Sequence, residues 1–215
     1  IKAQCQRYKL NILGGDTVRT EGPMVWTVTI IGEVPKGTAV MRSGAQVGDV
    51  VGITNYVGYA ATGLGALSYN LEGYDMTKIG HQRPDPQIEL GKQLRQLGVH
   101  SMNDISDGLG SELNEIASAS NVSIIVEEEA IPLHEETYAL ANHLQTKPVD
   151  YALYGGEDFQ LVFTAPKSLV PKLEQLAGIT LIGEVVSVSP KVQMVTPDRT
   201  IKTIEAKGYN HFHES

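Results

Sequence analysis

Short runs of alternating apolar and polar residues occur along the chain and predict several β-strands. Residues 24–34 are rich in β-branched side chains that alternate around Trp26, which indicates a strand buried on at least one face. The Pro35-Lys36-Gly37 turn that follows marks a predicted domain junction. The other predicted strands cover residues 49–54, 99–105, 161–164, 179–188 and 192–195.

Helical spacing of apolar residues predicts helices between these strands. Residues 58–67 hold glycines and alanines at spacings that would form a small-residue helical face. Asp85-Pro86 predicts an N-cap followed by proline, and three leucines then recur at helical spacing until Gly98 ends the helix. Further helices are predicted over residues 109–117 and 169–177. This interleaving of short strands and helices predicts an α+β fold.

Composition and charge narrow the classes of function. The 215 residues are 41% hydrophobic and 20% charged, which is typical of a globular protein. The net charge of −8 disfavours nucleic-acid binding, because that function needs a basic surface. No apolar run is long enough to predict a membrane span. Cys5 is the single cysteine, so an intrachain disulfide is excluded, and a reducing cytoplasmic location is expected.

The segment Asp104-Ile105-Ser106-Asp107-Gly108-Leu109 carries the most informative chemistry. It lies where a predicted strand ends and an amphipathic helix begins, and backbone N–H groups at such a helix N-terminus attract anions. Its two carboxylates and hydroxyl form an oxygen-rich corner that suits Mg²⁺, which usually accompanies phosphate. An ordinary helix cap would explain one of these acids. Capping does not need the second acid three residues away.

Two similar corners recur, at Gly14-Gly15-Asp16-Thr17 and at Gly155-Gly156-Glu157-Asp158. Paired glycines let the backbone approach a ligand closely, and carboxylates bind metal ions. Taken alone, each corner is more often an ordinary turn. A single arginine such as Arg42 is likewise more often a solvated surface residue than a contact for nucleotide phosphates. Three such corners in one acidic chain together indicate an ATP-dependent phosphotransferase.

These residues together resemble the thiamine-monophosphate kinase family, within the aminoimidazole ribonucleotide synthetase-like superfamily. The resemblance covers nearly the whole chain, and its acidic segments are specific in combination. The closing Gly-Tyr-Asn-His-Phe segment helps to separate this family from its relatives. The matching segments are Gly14-Gly15-Asp16-Thr17, Arg42-Ser43-Gly44-Ala45, Asp104-Ile105-Ser106-Asp107-Gly108-Leu109, Gly155-Gly156-Glu157-Asp158-Phe159, Ile182-Gly183-Glu184 and Gly208-Tyr209-Asn210-His211-Phe212.

The resemblance implies ATP-dependent phosphorylation of thiamine monophosphate to thiamine diphosphate, with Mg²⁺ as the metal cofactor. It also implies an α+β fold in which an N-terminal α+β domain forms a homodimer through its sheet and a C-terminal α/β sandwich domain follows. By motif position, the implied metal ligands are Asp16, Asp104 and Asp107, the implied ATP contacts are Gly15, Arg42 and Ser106, and the implied contacts of the thiamine substrate are Glu157 and Tyr209.

One departure from the family pattern bears on the domains. Family members carry a longer N-terminal region with an Asp-Asp pair and a substrate-binding histidine, and neither lies upstream of Gly14. We therefore expect residues 1–35 to be the remainder of an N-terminal ATP-binding and dimerisation domain, and residues 36–215 to be the C-terminal domain. Gln160 stands where an acid is common in the family.

Two alternatives to the kinase remain open from the sequence. One is a sister ATP-using synthetase of the same fold, of the selenophosphate or purine-pathway type, although the residues at 209–212 favour the thiamine enzyme. The other is an inactive metal- or nucleotide-binding fragment. For the kinase, the expected partners are thiamine monophosphate and ATP, with no nucleic acid and no membrane.

Overall fold

The computed structural model describes residues 1–207, and the chain divides into two units, Ile1–Val34 and Pro35–Ser215. The first unit contains helix α1 (Lys2–Tyr8), and the rest of it has no regular secondary structure. The strand predicted over residues 24–34 is therefore wrong, and Trp26 within it is 72% exposed. A strand needs a neighbouring strand to pair its backbone N–H and C=O groups, and Ile1–Val34 offers none.

A mixed sheet forms the centre of the second unit, as far as the chain is described. Its strands are β1 (Asp49–Thr54), β2 (Ser101–Ile105), β3 (Ser123–Glu127), β4 (Gln160–Pro166), β5 (Ile179–Ser187), β6 (Lys191–Val195) and β7 (Ile201–Thr203). They lie in the order β2-β4-β1-β5-β3-β6-β7. Neighbouring strands are antiparallel except β3 and β6, which are parallel.

Seven helices and two short 3₁₀ turns connect these strands within residues 35–207. The helices are α2 (Tyr59–Ser68), α3 (Asp75–Gln82), α4 (Ile88–Leu97), α5 (Leu109–Ser120), α6 (Glu135–Leu144), α7 (Pro148–Tyr154) and α8 (Val170–Leu173), and the 3₁₀ turns are Glu128–Ala130 and Lys167–Leu169. No helix within residues 1–207 has the length and apolar character needed to cross a bilayer.

Apolar side chains cover both faces of the sheet. Val162 of β4 packs in one buried cluster with Leu109 and Leu113 of α5, whereas its neighbour Phe163 packs in a second cluster with Leu94 of α4. Successive strand residues point to opposite faces, so one strand supplies both clusters. Full burial of each such side chain contributes roughly 1.5–3 kcal/mol. The sheet between α4 and α5 is thus a rigid platform for the segments at its edges.

The predicted α+β fold is confirmed, and most of its elements lie where the pattern placed them. β1 has the predicted bounds, and α4 ends at Gly98 in the left-handed conformation, as expected for a glycine C-cap. The N-cap of α4 is Gln87 rather than Asp85, because the Gln87 side chain donates to the Asp85 carbonyl and holds a turn there. The helix predicted over residues 169–177 is limited to α8, next to a 3₁₀ turn.

Candidate functional site

The Asp104–Asp107 corner, predicted to bind Mg²⁺ and phosphate, lies where β2 ends and α5 begins. Asp104 is exposed near the end of β2, whereas the next residue, Ile105, is fully buried and anchors the strand. Gly108 is the N-cap of α5 at φ 95° and ψ 146°. A Cβ atom there would lie 2.6 Å from the Leu153 carbonyl oxygen, so only glycine fits this turn. Ser106 and Asp107 are therefore held at the entrance to α5 by packing on both sides.

A buried glutamate supports this corner from behind. Glu112, in the first turn of α5, is 3% exposed and accepts hydrogen bonds from the Ser106 hydroxyl and the Asp107 backbone N–H, both at 3.4 Å. It also accepts one from the Asn103 amide. Burial raises the pKa of Glu112, the Asp107 backbone bond lowers it, and the charges of Asp104 and Asp107 raise it further. These three carboxylates therefore share one electrostatic environment.

Glu112 was not predicted from the sequence, although a signal was present. It falls between Leu109 and Leu113 on the apolar stripe of α5, where a charged residue is out of place unless it has buried partners. An acid on an apolar helix face, just after an acidic corner, is thus a sign of a supporting carboxylate.

The second predicted corner, Gly155-Gly156-Glu157-Asp158, lies directly against the first. The Glu157 N–H donates to the Ser106 carbonyl at 2.7 Å, and the Phe159 N–H donates to the Ile105 carbonyl at 2.9 Å. These two bonds continue the pairing of β2 with β4 beyond the ends of the strands. Glu157 is exposed in a left-handed conformation at φ 66°. The structure thus brings Glu157 beside Ser106 and Asp107.

Asp158 points the other way and is buried at 5% exposure. One of its carboxylate oxygens accepts from the Gly58 N–H at 2.6 Å, and the other accepts from the Ala60 N–H at 2.8 Å. Asp158 therefore caps the N-terminus of α2 from a distant part of the chain. Burial raises the pKa of Asp158 to about 7, against the lowering effect of these N–H bonds.

The loop that carries Arg42 runs along the outer side of α5. The Ser120 hydroxyl at the end of α5 accepts from the Gly44 and Ala45 N–H groups, both at 3.1 Å, and so fixes the loop. The Arg42 guanidinium lies 3.4 Å from the Glu115 carboxylate, and both side chains are about half exposed. The charge of Arg42 also reaches Glu112, where it lowers the pKa of that carboxyl. Arg42 and the first corner therefore flank the same helix.

The remaining positions named from the sequence are Gly15, Asp16, Tyr209 and Gln160. Gly15 and Asp16 belong to the first unit, where the Asp16 carboxylate accepts from the Thr17 N–H at 2.8 Å. Tyr209 lies outside the described residues. Gln160 is buried and accepts from the Thr54 hydroxyl at 2.9 Å and the Asn55 amide at 3.0 Å, so it acts as a structural link between β4 and the end of β1.

The oxygen donors at the corner fit a magnesium ion that keeps most of its water. Within residues 1–207, no three His, Cys, Asp or Glu side chains are grouped so that they would hold a metal by themselves. Mg²⁺ is typically bound by one or two carboxylates together with water and substrate phosphates. The exposed Asp104 and Asp107 match that pattern, whereas an all-protein cage, as Ca²⁺ often uses, is not formed by the described residues.

A cavity of about 400 Å³ is lined in part by Leu153, the residue whose carbonyl packs against the corner at Gly108. Leu153 lines the cavity, and its carbonyl oxygen occupies the space that a Cβ atom at Gly108 would need. Tyr154, Ile204, Lys147 and Asp150 are among its other lining residues. The space is thus large enough for part of a small organic molecule beside the corner.

A family comparison assigns the fold. Residues 46–194 match the family described as AIR synthase related protein, C-terminal domain. The chain belongs to this family. The match includes the Asp104–Asp107 corner, the Gly155–Asp158 corner and the whole sheet from β1 to β6, so the family is defined by the part of the chain that holds the candidate site. The predicted aminoimidazole ribonucleotide synthetase-like fold is confirmed.

Curated relatives in this family are thiamine-monophosphate kinases. The chain is 38% identical to the enzyme of Bacillus subtilis over 95% of its own length, and 34% identical to that of Escherichia coli K12 over the same share. It is 33% identical to the Aquifex aeolicus enzyme over 99% of its length. The resemblance predicted from the motifs is thus confirmed. The chain spans 64–66% of the length of these relatives.

Solved structures agree with the sequence relatives. The chain resembles the crystal structure of thiamine-monophosphate kinase from Stenotrophomonas maltophilia with a TM-score of 0.69 and 30% identity, covering 75% of this chain and 54% of that one. It resembles AaThiL complexed with AMPPCP and TMP with a TM-score of 0.68 and 33% identity, covering 80% and 54%. The hydrogenase maturation protein HypE, at 21% identity and a TM-score of 0.65, covering 81% and 55%, shares the fold.

Proposed function

We propose that this chain is the larger part of a kinase that transfers the γ-phosphoryl group of ATP to thiamine monophosphate and releases thiamine diphosphate and ADP. The observation that carries the proposal is the direct bond between the two acidic corners, from the Glu157 N–H to the Ser106 carbonyl. It puts the motif position expected to contact the thiamine substrate next to those expected to contact ATP and metal. Identity of 33–38% to thiamine-monophosphate kinases supports it further.

The proposed roles follow the motif positions, and the exposure of Asp104, Asp107 and Glu157 supports part of them. Asp104 and Asp107, both exposed at the corner, are proposed to hold Mg²⁺, with Asp16 as a further ligand from the first unit. Ser106, together with Gly15, is proposed to contact ATP. Glu157, and Tyr209 from outside the described residues, are proposed to bind the thiamine substrate.

Arg42 is available for a nucleotide phosphate because its present partner holds it weakly. The pair with Glu115 is exposed and 3.4 Å long, and such a surface pair contributes little to stability. A phosphate offers a guanidinium more charge and a bidentate geometry. We therefore propose that Arg42 leaves Glu115 for ATP when the nucleotide binds.

The reaction needs positioning rather than a catalytic base. The acceptor oxygen of thiamine monophosphate is ionised near neutral pH, so no side chain has to remove its proton. This oxygen forms a bond to the γ-phosphorus while the bond from that phosphorus to the β–γ bridging oxygen breaks, and ADP leaves with the electron pair. The main barrier is repulsion between the two anionic molecules. Bound Mg²⁺ supplies charge screening between them.

Two acids at these corners, Asp158 and Glu112, are turned away from the surface that we assign to the ligands. Asp158 is withdrawn into the protein, where its charge faces the N–H groups of α2. Glu112 is likewise turned inward, onto the backbone and side chains of its own corner. Only Asp104, Asp107 and Glu157 remain exposed there, and these are the acids to which we assign ligands.

Other features of the proposal come from the family. We propose that residues 1–35 are the remainder of an N-terminal ATP-binding domain and that residues 36–215 are the C-terminal domain. We also propose that the whole protein is a homodimer, located in the cytoplasm and acting on small molecules only.

The test combines binding and product formation. The chain is incubated with ATP, MgCl₂ and thiamine monophosphate, and thiamine diphosphate is quantified after oxidation to its fluorescent thiochrome. In parallel, melting temperatures are measured with Mg²⁺ alone, with Mg²⁺ and ATP, and with thiamine monophosphate. The proposal predicts product formation and stabilisation by both substrates. Stabilisation by Mg²⁺ alone would indicate a metal-binding module instead, and no stabilisation by either substrate would contradict the kinase.

Asp107→Asn and Asp75→Asn are the matched variants. Both remove one exposed carboxylate at nearly constant volume, Asp107 at the corner and Asp75 in the first turn of α3. The proposed kinase function predicts that thiamine diphosphate formation is lost in Asp107→Asn and retained in Asp75→Asn.

A further inference from the structure

The buried carboxylate of Asp158 has no ligand assigned to it, although it belongs to the Gly155–Asp158 corner. It is 5% exposed, and its two oxygens accept from the Gly58 and Ala60 N–H groups at 2.6 and 2.8 Å. The residues it joins are about 100 positions apart in the sequence. Such a cap satisfies orphan N–H groups at the start of α2, and it also ties α2 to the segment that carries Asp158.

That segment is held on its other side as well. The N–H groups of Glu157 and Phe159, the two neighbours of Asp158, donate to the carbonyls of Ser106 and Ile105. The turn is therefore clamped between α2, through the Asp158 side chain, and the β2–α5 corner, through its backbone. Glu157 and Phe159 have left-handed backbone conformations at φ 66° and 49°, which non-glycine residues adopt only when their surroundings hold them there.

We infer that Asp158 is a positioning residue that holds Glu157 at a fixed distance from Ser106 and Asp107. This inference rests on the proposed function in so far as it assigns Glu157 to the thiamine substrate and Ser106 to ATP. Asp158 does not touch either substrate. It acts through the turn, because loss of its bonds to α2 frees one side of the clamp and lets the exposed Glu157 move away from the corner.

The test uses Asp158→Asn and a matched control. Asparagine keeps the size of the side chain, but its NH₂ group then faces one of the two N–H donors of α2 and cannot accept from it. The control is Glu136→Gln, because Glu136 caps α3 in the same manner, accepting from the Thr77 N–H at 2.8 Å and from the Thr77 hydroxyl at 2.7 Å. Glu136 has no bond to the Gly155–Asp158 corner among those described.

The first readout is hydrogen exchange at the Glu157 and Phe159 amides, which needs no ligand. We expect Asp158→Asn to lower their protection at least tenfold, Asp158→Glu to retain part of it as an anionic cap, and Glu136→Gln to leave it unchanged within twofold. Unchanged protection in a folded Asp158→Asn variant would overturn the inference. If Asp158→Asn fails to fold, Asp158→Glu carries the test, since its longer side chain displaces the cap and should still raise exchange at these two amides.

The second readout separates the two substrates. We expect Asp158→Asn to weaken binding of thiamine monophosphate at least tenfold, measured by calorimetry, while the affinity for Mg²⁺ and ATP stays within twofold. If the Asp158 cap only stabilised the fold, Asp158→Asn would weaken the binding of both ligands equally or of neither, and that result would overturn the inference. For the control Glu136→Gln, we expect the binding of both ligands to change equally or not at all. If the wild-type chain binds no thiamine monophosphate, the proposed function fails, and hydrogen exchange alone then decides whether Asp158 positions the turn.

Discussion

Replacing Gly156 with alanine tests whether the two acidic corners are as closely packed as the structure requires. A Cβ atom built at Gly156 lies 2.5 Å from the carbonyl oxygen of Ser106. That oxygen is part of the backbone, so it cannot rotate away as the end of a flexible side chain would. The same oxygen accepts the Glu157 N–H at 2.7 Å. The methyl group therefore has to push apart the two segments that form the candidate site.

The expected loss of stability follows from the contacts that would be disturbed if the two acidic corners moved apart. Extra volume in a well-packed region costs about 1–3 kcal/mol. The hydrogen bonds donated by the Glu157 and Phe159 N–H groups would weaken as well. Each of these bonds that is lost adds roughly 0.5–1.5 kcal/mol. Since the segments can yield in part, we expect Gly156→Ala to lower the free energy of unfolding by about 2–3 kcal/mol. Affinity for thiamine monophosphate should fall with it, because Glu157 moves away from Ser106.

The assay is urea denaturation followed by far-ultraviolet circular dichroism, with Gly91→Ala as the control. Gly91 lies inside α4, and a Cβ atom there meets only the ends of flexible side chains, Leu161 Cδ1 at 3.3 Å and Met102 Cε at 3.9 Å. Alanine favours a helix interior over glycine by about 0.5–1 kcal/mol, so this variant should be neutral or more stable than wild type. If Gly156→Ala were as stable as Gly91→Ala, the close contact between the corners would be refuted.

Three further outcomes are expected. Asp107→Ala should lower turnover by several orders of magnitude in the full-length protein while circular dichroism stays unchanged, and retained turnover would refute its assignment as a metal ligand. Gly63→Ala should destabilise the fold by about 1–3 kcal/mol in urea denaturation, because its Cβ atom would overlap the Thr77 carbonyl and separate α2 from α3; a neutral effect would contradict that packing. Burial raises the pKa of Asp158 from 3.8 to about 7 in the folded state. The folded state therefore binds the proton more tightly, and the free energy of unfolding should fall as pH rises between about 4 and 7, by at most about 4 kcal/mol. The corresponding slope should be smaller in Asp158→Asn, and equal slopes would contradict the raised pKa.

The pattern of apolar, polar and glycine residues was sufficient to predict those strands and helices whose positions depend mainly on their own residues. β1 alternates between the two apolar clusters, and α4 ends at a glycine that adopts the left-handed conformation. The segment 24–34 shows the limit of this reasoning. Its β-branched residues favour a strand, but a strand also needs a partner, and the residues around it in the first unit supply none. Propensity alone therefore gave a wrong prediction there.

The sequence identified the two acidic corners that meet at the candidate site, but not the contacts between them or the supporting Glu112. The Asp104–Asp107 and Gly155–Asp158 corners were each identified from their composition, yet their meeting depends on the pairing of β2 with β4, which no short segment encodes. It was harder still to predict from the sequence which acids face inward. Asp158 was grouped with its exposed neighbour Glu157, because a sequence does not show which of two adjacent acids finds buried N–H partners.

The proposed reaction requires one ligand arrangement, with a divalent cation at Asp107 and the phosphate of thiamine monophosphate beside it. Phosphorus NMR relaxation measures this most directly, with Mn²⁺ in place of Mg²⁺ and the non-transferable nucleotide AMPPCP in place of ATP. We predict strong paramagnetic broadening of the phosphorus signal of bound thiamine monophosphate, and loss of that broadening in Asp107→Asn. Binding of thiamine monophosphate without any broadening would contradict the account, because the substrate and the metal would then occupy separate sites.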